Sequence, residues 1–291
     1  MSPIVRLALE EDIGSGDVTT RACVPEGQLA RGYFVAREPL VIAGLGLLEE
    51  IYEDREDSNS PRRLGEHGES TEKTRGEQSR VELLKRDGER CAAGETIARV
   101  SGAAWLLLER ERVALNFLQR LSGVATLARA FAEAVEGTGC RVLDTRKTTP
   151  GMRTLEKAAA AAGGVMNHRM GLYDAVLIKN NHIAAAGGVR KAIERTRASG
   201  MAIEIEVRSV KELEEALAAG ADHLLLDNLT PEEAREWVRR IGGRAKVELS
   251  GGITLANVRA YAETGADFVS SGAITHSARA MDISFRMEAA G

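Results

Sequence analysis

From residue 141 to residue 269 the chain repeats one device: a short apolar run followed by an amphipathic stretch. The runs are Arg141 to Leu143, Ala175 to Ile178, Ala202 to Val207, His223 to Leu226, Lys246 to Leu249 and Asp267 to Val269. Between them, segments such as Val210 to Ala219 and Glu232 to Ile241 place apolar residues at helical spacing. Strands separated by helices cannot close as hairpins and pair in parallel through crossovers. Six such units in series predict a barrel or barrel-like sheet rather than an open one.

The residues just past each run point to a site. The first run ends in Asp144, Thr145, Arg146 and Lys147, and the second in Lys179, Asn180, Asn181 and His182. The third ends on Glu206 with Arg208 beyond it, and the fourth on Asp227 and Asn228. The fifth gives Ser250-Gly251-Gly252 and the sixth Ser271-Gly272. In parallel barrels the C-terminal strand ends share one rim, where active sites are built. Six separate segments therefore deliver charged, hydroxyl or glycine residues to one mouth.

The charges at that mouth sort by type. Arg146, Lys147 and Lys179 are cationic, and His168 and Arg169 in the segment before the second strand can join them. The whole chain of 291 residues carries a formal net charge of -4, so this positive charge is a local gathering. Guanidinium forks match carboxylates two bonds at a time, and lysine supplies compact charge. An anionic substrate is expected. Glu206 and Asp227 form an acidic pair suited to a divalent cation, Mg²⁺, or to sugar hydroxyls. An internal salt-bridge network is the alternative use for the same charges, but buried ion pairs are weak devices for stability. The late serine and glycine turns offer bare amides of the kind that cradle phosphate. A lysine at a strand end, Lys179, could also form a Schiff base, but that leaves the other cations without a task.

The negative net charge argues against nucleic acid or an anionic membrane as partner. No stretch approaches the about 18 apolar residues of a membrane span. The charged first residues (Arg6, Glu10, Glu11, Asp12) do not read as a signal peptide. Three widely spaced cysteines, Cys23, Cys91 and Cys140, form no disulfide framework, so a reducing, cytoplasmic location is expected.

The first part of the chain mixes strand-like runs (Gly32 to Arg37, Val41 to Ala43) with turns, and about 54–80 is a polar stretch read as a surface insertion. From Ala104 the pattern turns helical, and Gly123 to Val135 reads as a second helix ending at Gly137 and Gly139. His223, at a strand start, reads as structural, and His67 lies in the insertion. His182 and His276 stand near the mouth, equally suited to loop packing and to ligand contact.

Several segments resemble one family. D-T-R-K-T-T-P-G (Asp144 to Gly151), N-H-R-M-G-L-Y-D (Asn167 to Asp174), L-I-K-N-N-H (Leu177 to His182) and E-L-S-G-G-I (Glu248 to Ile253) are similar to quinolinate phosphoribosyltransferases. So are E-D-I-G-S-G-D-V-T-T (Glu11 to Thr20) and E-R-V-A-L-N-F-L-Q-R-L-S-G (Glu111 to Gly123). The resemblance implies an α/β fold of the type II phosphoribosyltransferase kind. It has an N-terminal α/β sandwich domain (1–113, carrying the insertion), an incomplete α/β barrel (114–275), and a C-terminal segment (276–291) packing back on the first domain. It implies transfer of phosphoribosyl from phosphoribosyl pyrophosphate to quinolinate with loss of CO2, in NAD biosynthesis, with Mg²⁺. By resemblance Arg146, His168, Arg169 and Lys179 line the quinolinate site, with Lys147 at the same mouth. Arg112 is similar to an arginine that enters from the neighbouring subunit of a dimer. Glu206 and Asp227 resemble the acids near ribose and metal. Ser250, Gly252 and Gly272 resemble phosphate-binding positions, with Gly251 and Ser271 in the same turns. Lys147, Lys179, Glu206 and Asp227 are the residues expected to act in the reaction. Two departures stand out. Asn180 occupies a position where the family usually has aspartate, and Ala158 to Ala162 replaces a tyrosine-containing run.

Overall fold

A computed structural model describes residues 1–52 and 79–289, so most of the polar stretch expected at 54–80 lies outside the described residues. The chain divides into two units, 1–122 with 280–291, and 123–279.

In the first unit, helices α1 (Pro3–Ile13) and α2 (Val18–Cys23) precede strands β1 (Leu29–Ala36) and β2 (Leu40–Val41). Next come helix α3 (Gly46–Tyr52), strands β3 (Arg80–Leu83), β4 (Arg90–Cys91) and β5 (Thr96–Ala103), and the long helix α4 (Ala104–Ala134). Strand β1 alternates as a half-buried strand should: Ala30 and Phe34 face the core, while Leu29 and Arg31 face out. Phe34 packs against Tyr52 at 6.2 Å and Phe285 at 4.9 Å between ring centroids. Phe285 comes from the far end of the chain, on a last strand (Ile283–Ala289) that pairs antiparallel with β1. The resulting sheet runs last strand, β1, β5, β3. Of the C-terminal segment expected from 276 onward, 276–279 stay with the second unit and 280 onward join the first.

The expected helix break at Gly123 is absent, and α4 runs through it as one helix of 31 residues. A single interior glycine costs about 1 kcal/mol relative to alanine. The apolar flanks Leu118, Leu121, Val124, Ala125 and Ala128 are all buried, and that burial outweighs it. The boundary between the units, at 122/123, falls inside this helix rather than at 113/114.

The second unit holds β6 (Arg141–Leu143), α5 (Arg153–Ala162), β7 (Val176–Ile178), α6 (Asn180–Ala186) and α7 (Val189–Thr196). Then come β8 (Ile203–Val207), α8 (Val210–Ala218), β9 (His223–Asp227), α9 (Pro231–Ile241), β10 (Lys246–Ser250), α10 (Val258–Ala262), β11 (Phe268–Ser270) and α11 (Ala273–His276). All six expected strands are present. They form one sheet in the order β6-β11-β10-β9-β8-β7, and every pairing is parallel. That is chain order wrapped into a ring and left open between β6 and β7: an incomplete barrel. Helix starts are fixed close behind the strand ends. Ser209 caps α8 by accepting the Glu212 amide, and Thr230 and Glu233 form a reciprocal capping box on α9. The loops that follow Glu206 and Asp227 are therefore short and anchored at both ends. No helix among the described residues is long and apolar enough to cross a membrane.

Candidate active site

The C-terminal strand ends of the second unit open onto a cavity of about 580 Å³. The cations Arg146, Lys147, Arg169 and Lys179 line it together with His168, the acids Glu206 and Asp227, and the turn residues Ser250, Gly251, Gly252, Ser271 and Gly272. Every site residue expected in the second unit is thus brought to one mouth. Arg112 belongs to the first unit, exposed on α4.

The cations are held from behind. Asp144 and Lys157 form a fully buried ion pair directly under the loop that carries Arg146. Asp144 also accepts the His168 amide at 2.8 Å, and Asn167, with its amide nitrogen turned toward the acid, donates to it at 2.7 Å. One carboxylate thereby ties the end of β6 to the 167–169 segment. Burial pushes its pKa up, against the opposing pull of Lys157 and the His168 amide. Arg146 ends in an Nη1 that is buried and has no hydrogen-bond partner. Burial, and then the charge of Arg146, lower the pKa of Arg169. Two guanidiniums within electrostatic reach, one with an unmet buried donor, make a place for an anion.

Beneath them lie two acids that sequence reasoning missed. His168 Nε2 stands 3.1 Å from Glu204 and 3.5 Å from Glu248, and both carboxylates are buried. The ring's Nδ1 accepts the Arg169 amide at 2.7 Å. Burial lowers the imidazole pKa, and the two acids more than reverse that. A proton on Nδ1 would nevertheless break the Arg169 contact, so the ring carries its proton on Nε2. The three side chains are close enough to hold a metal ion, with ligand atoms within 4.8 Å of one another. Ligation through Nε2, however, would need the proton on Nδ1, where the amide excludes it. The cluster therefore reads as a buried floor of one imidazole between two acids. The signal lay in I-E-I-E-V, where alternation sends Glu204 and Glu206 to the same face of β8.

Burial, then repulsion from Glu204, push the Glu248 pKa up to about 8. In the unfolded chain the ordinary value of 4.5 applies, so the native state is penalised increasingly as pH rises from about 4.5 to about 8. Glu248→Gln removes the penalty. In urea unfolding series its stability relative to the parent should improve across that window and level off above it. A difference that is flat from pH 5 to pH 8 would contradict the assignment.

The acids on the rim are each engaged on one side. Glu206 Oε1 accepts two bonds from Arg208, at 2.7 and 3.0 Å, and Asp227 Oδ2 accepts the Asn228 amide at 2.7 Å. Part of the salt-bridge alternative is thus real for Glu206, yet both residues still line the cavity. The late turns are braced rather than loose. Ser271 donates to the Ile253 carbonyl at 2.6 Å, and Asn257 donates to the Gly252 carbonyl at 3.0 Å. Gly272 faces Lys147: a Cβ there would meet Lys147 Cδ at 2.7 Å. Lys147 therefore lies along the last turn, its carbonyl accepting Thr275 Oγ1 at 2.9 Å. His276 lines the cavity, whereas His182 Nδ1 accepts the Lys179 amide at 2.9 Å and serves the start of α6. His223 lies at the foot of β9 against Phe268.

Two family models describe the chain. One, the N-terminal domain of quinolinate phosphoribosyl transferase, matches residues 17–122, and the other, its C-terminal domain, matches residues 124–286. The chain belongs to the quinolinate phosphoribosyltransferase family. It is 40% identical over 277 residues to a probable nicotinate-nucleotide pyrophosphorylase [carboxylating] of Bacillus subtilis, covering 94% of this chain and 89% of that one. It is 40% identical over 289 residues to the nicotinate-nucleotide pyrophosphorylase [carboxylating] of Mycobacterium leprae, with coverage of 96% and 94%. Among solved structures, the nicotinate-nucleotide pyrophosphorylase of Francisella tularensis superposes with a TM-score of 0.86 at 34% identity, over 98% of this chain and 95% of that one. The two-domain α/β fold and the activity expected from the resemblance, a decarboxylating phosphoribosyl transfer to quinolinate in NAD biosynthesis, stand on these matches.

Proposed function

We propose that the barrel mouth performs this transfer with the cations and acids that line it. The observation that carries the reading is Arg146 Nη1, a buried donor without a partner beside a second guanidinium. Arg146 and Arg169 hold the two carboxylates of quinolinate, with Lys179 adding charge at the end of β7. His168 keeps the Arg169 backbone in place, its own ring nitrogens being occupied. Lys147 and the turns Ser250-Gly251-Gly252 and Ser271-Gly272 receive the phosphates of phosphoribosyl pyrophosphate.

Glu206 and Asp227 end neighbouring strands on the cavity wall, each with one oxygen engaged by a protein donor, a donor set that fits a hard divalent cation held through water. Mg²⁺ bound there would neutralise charge on the leaving pyrophosphate. The pyridine nitrogen uses its lone pair to form the bond to the anomeric carbon while the bond to pyrophosphate breaks. The protein's share is alignment and electrostatics around an oxocarbenium-like transition state. The ring, now cationic, accepts the electron pair left when the 2-carboxylate departs as CO2, and a proton then completes the C–H bond.

Incubation with quinolinate, phosphoribosyl pyrophosphate and Mg²⁺ should release CO2 and form nicotinate mononucleotide. Absence of both products would defeat the reading. The active unit is a homodimer in which Arg112 serves the neighbouring subunit's site. Mixing inactive Arg112→Ala with inactive Lys179→Ala should then restore activity in hybrid dimers, and no recovery after verified subunit exchange would refute the shared site. The free thiols Cys23, Cys91 and Cys140 support a cytoplasmic location.

A further inference from the structure

Asn228 is the one non-glycine residue among those described with a positive φ, at 59°. It sits directly after Asp227, the last residue of β9. The left-handed conformation suits glycine and is tolerated by asparagine because its short amide can bond locally. Here it does so. Nδ2 turns back to Asp227 Oδ2 at 2.7 Å. The backbone amide donates to the Ser250 carbonyl at 2.9 Å, extending the β9–β10 ladder one step beyond the Asp227–Ser250 pair.

The side chain has a second neighbour. Gly251 has φ 93°, and a Cβ on it would stand 2.2 Å from Asn228 Oδ1 and 2.7 Å from Asn228 Cγ. The Asn228 amide occupies the space over Gly251 that any other residue would fill. Asp227, Ser250 and Gly251 line the cavity, and Asn228 stands behind them. One side chain thus joins a rim carboxylate to the first of the two glycine turns.

We propose that Asn228 is a positioning residue: its amide holds the Asp227 carboxylate in one rotamer, leaving Oδ1 for the ribosyl donor and its cation, and keeps that acid in register with the Gly251 turn. The proposal rests on the role given to Asp227 above. It explains why a strained conformation is kept by asparagine where glycine would adopt it freely. Glycine would relieve the backbone but lose the amide.

Three variants of the full-length chain test it. Asn228→Gly keeps the backbone and removes the amide. Asn228→Asp keeps the shape and faces Asp227 with a like charge. Asp227→Asn reports on the underlying role. Donor binding is measured by calorimetry with phosphoribosyl pyrophosphate and Mg²⁺ in the presence of phthalate, a dicarboxylate without a ring nitrogen. Asn228→Gly should keep or raise Tm. Its kcat should fall, and its requirement for Mg²⁺ and its donor Kd should rise, by about tenfold, the scale of one hydrogen bond to a charged group. KM for quinolinate should not move. Asn228→Asp should lose more than Asn228→Gly on the same measures, and Asp227→Asn more still. Parent-like kcat and donor binding in Asn228→Gly overturn the proposal, as does a lowered Tm with a uniform loss in every constant. If Asp227→Asn loses donor binding while Asn228→Gly does not, the role of Asp227 survives and that of Asn228 falls. If Asp227→Asn behaves as the parent, both fall.

Discussion

Arg146→Ala is expected to bind quinolinate about 30- to 1,000-fold more weakly than the parent while unfolding at the same urea concentration. Loss of one partner of a desolvated, hydrogen-bonded charge pair costs roughly 2–4 kcal/mol, which sets that range. The usual objection, that removing a half-buried arginine also damages the fold, does not apply here. Its Nη1 has no partner in the free protein, so that donor leaves no acceptor stranded. The variant also relieves repulsion on Arg169. Arg146→Lys keeps the charge but not the fork and should fall between the two. Discrimination between quinolinate and a monocarboxylate such as nicotinate should shrink in both variants, since the second carboxylate is what the paired guanidiniums serve. Calorimetric titration that returned the parent's affinity for quinolinate would remove Arg146 from the site.

The second large effect is on stability. Lys157→Met should lower the unfolding free energy by about 3–5 kcal/mol, because it strands a carboxylate that is fully buried. The loss should also depend on pH. The ordinary Asp144 value is 3.8, and the native value is already raised by burial, so the stranded group is penalised above that range and relieved by protonation. The deficit measured by urea unfolding should therefore be smaller at pH 5 than at pH 8. Adding Asp144→Asn to Lys157→Met should restore part of the loss, since a neutral amide needs no cation. Equal deficits at the two pH values, or strictly additive losses in the double variant, would show that the pair is not coupled.

The strand ends are legible in the sequence because a parallel barrel ties position along the strand to position on the rim. With Val207 and Leu226 as the last apolar residues of their runs, the neighbouring acids Glu206 and Asp227 have to stand near the mouth. The interior charges are not legible. Lys157 sits in an alanine-rich helix and looks like a solvated lysine, yet α5 buries it completely. Glu248 looks like part of an ordinary K-V-E-L-S strand, and only the neighbouring strands reveal that it shares a buried floor with Glu204 and His168. Such groups are defined by contacts between distant segments, which periodicity does not report. The helix break expected at Gly123 fails for a related reason: local propensity carries no information about the burial that overrides it. Asn228 stands out in the sequence only as the residue after Asp227, since a positive φ leaves no mark in one-letter code.

The open ring has a consequence for how the protein behaves in crowded solution. A sheet that does not close has two edge strands, here β6 and β7. Free edges of this kind recruit strands from other molecules when they are long, flat and apolar. Both are only three residues long, and β6 begins with the exposed Arg141. On its outer side the Val142 carbonyl accepts the Met166 amide at 2.9 Å and the Asp144 amide donates to the Met166 carbonyl at 3.1 Å, a parallel bridge around Leu143. The gap therefore exposes too little continuous backbone to seed strand exchange, and a barrel missing its closure gains a mouth built from loops without acquiring an adhesive seam.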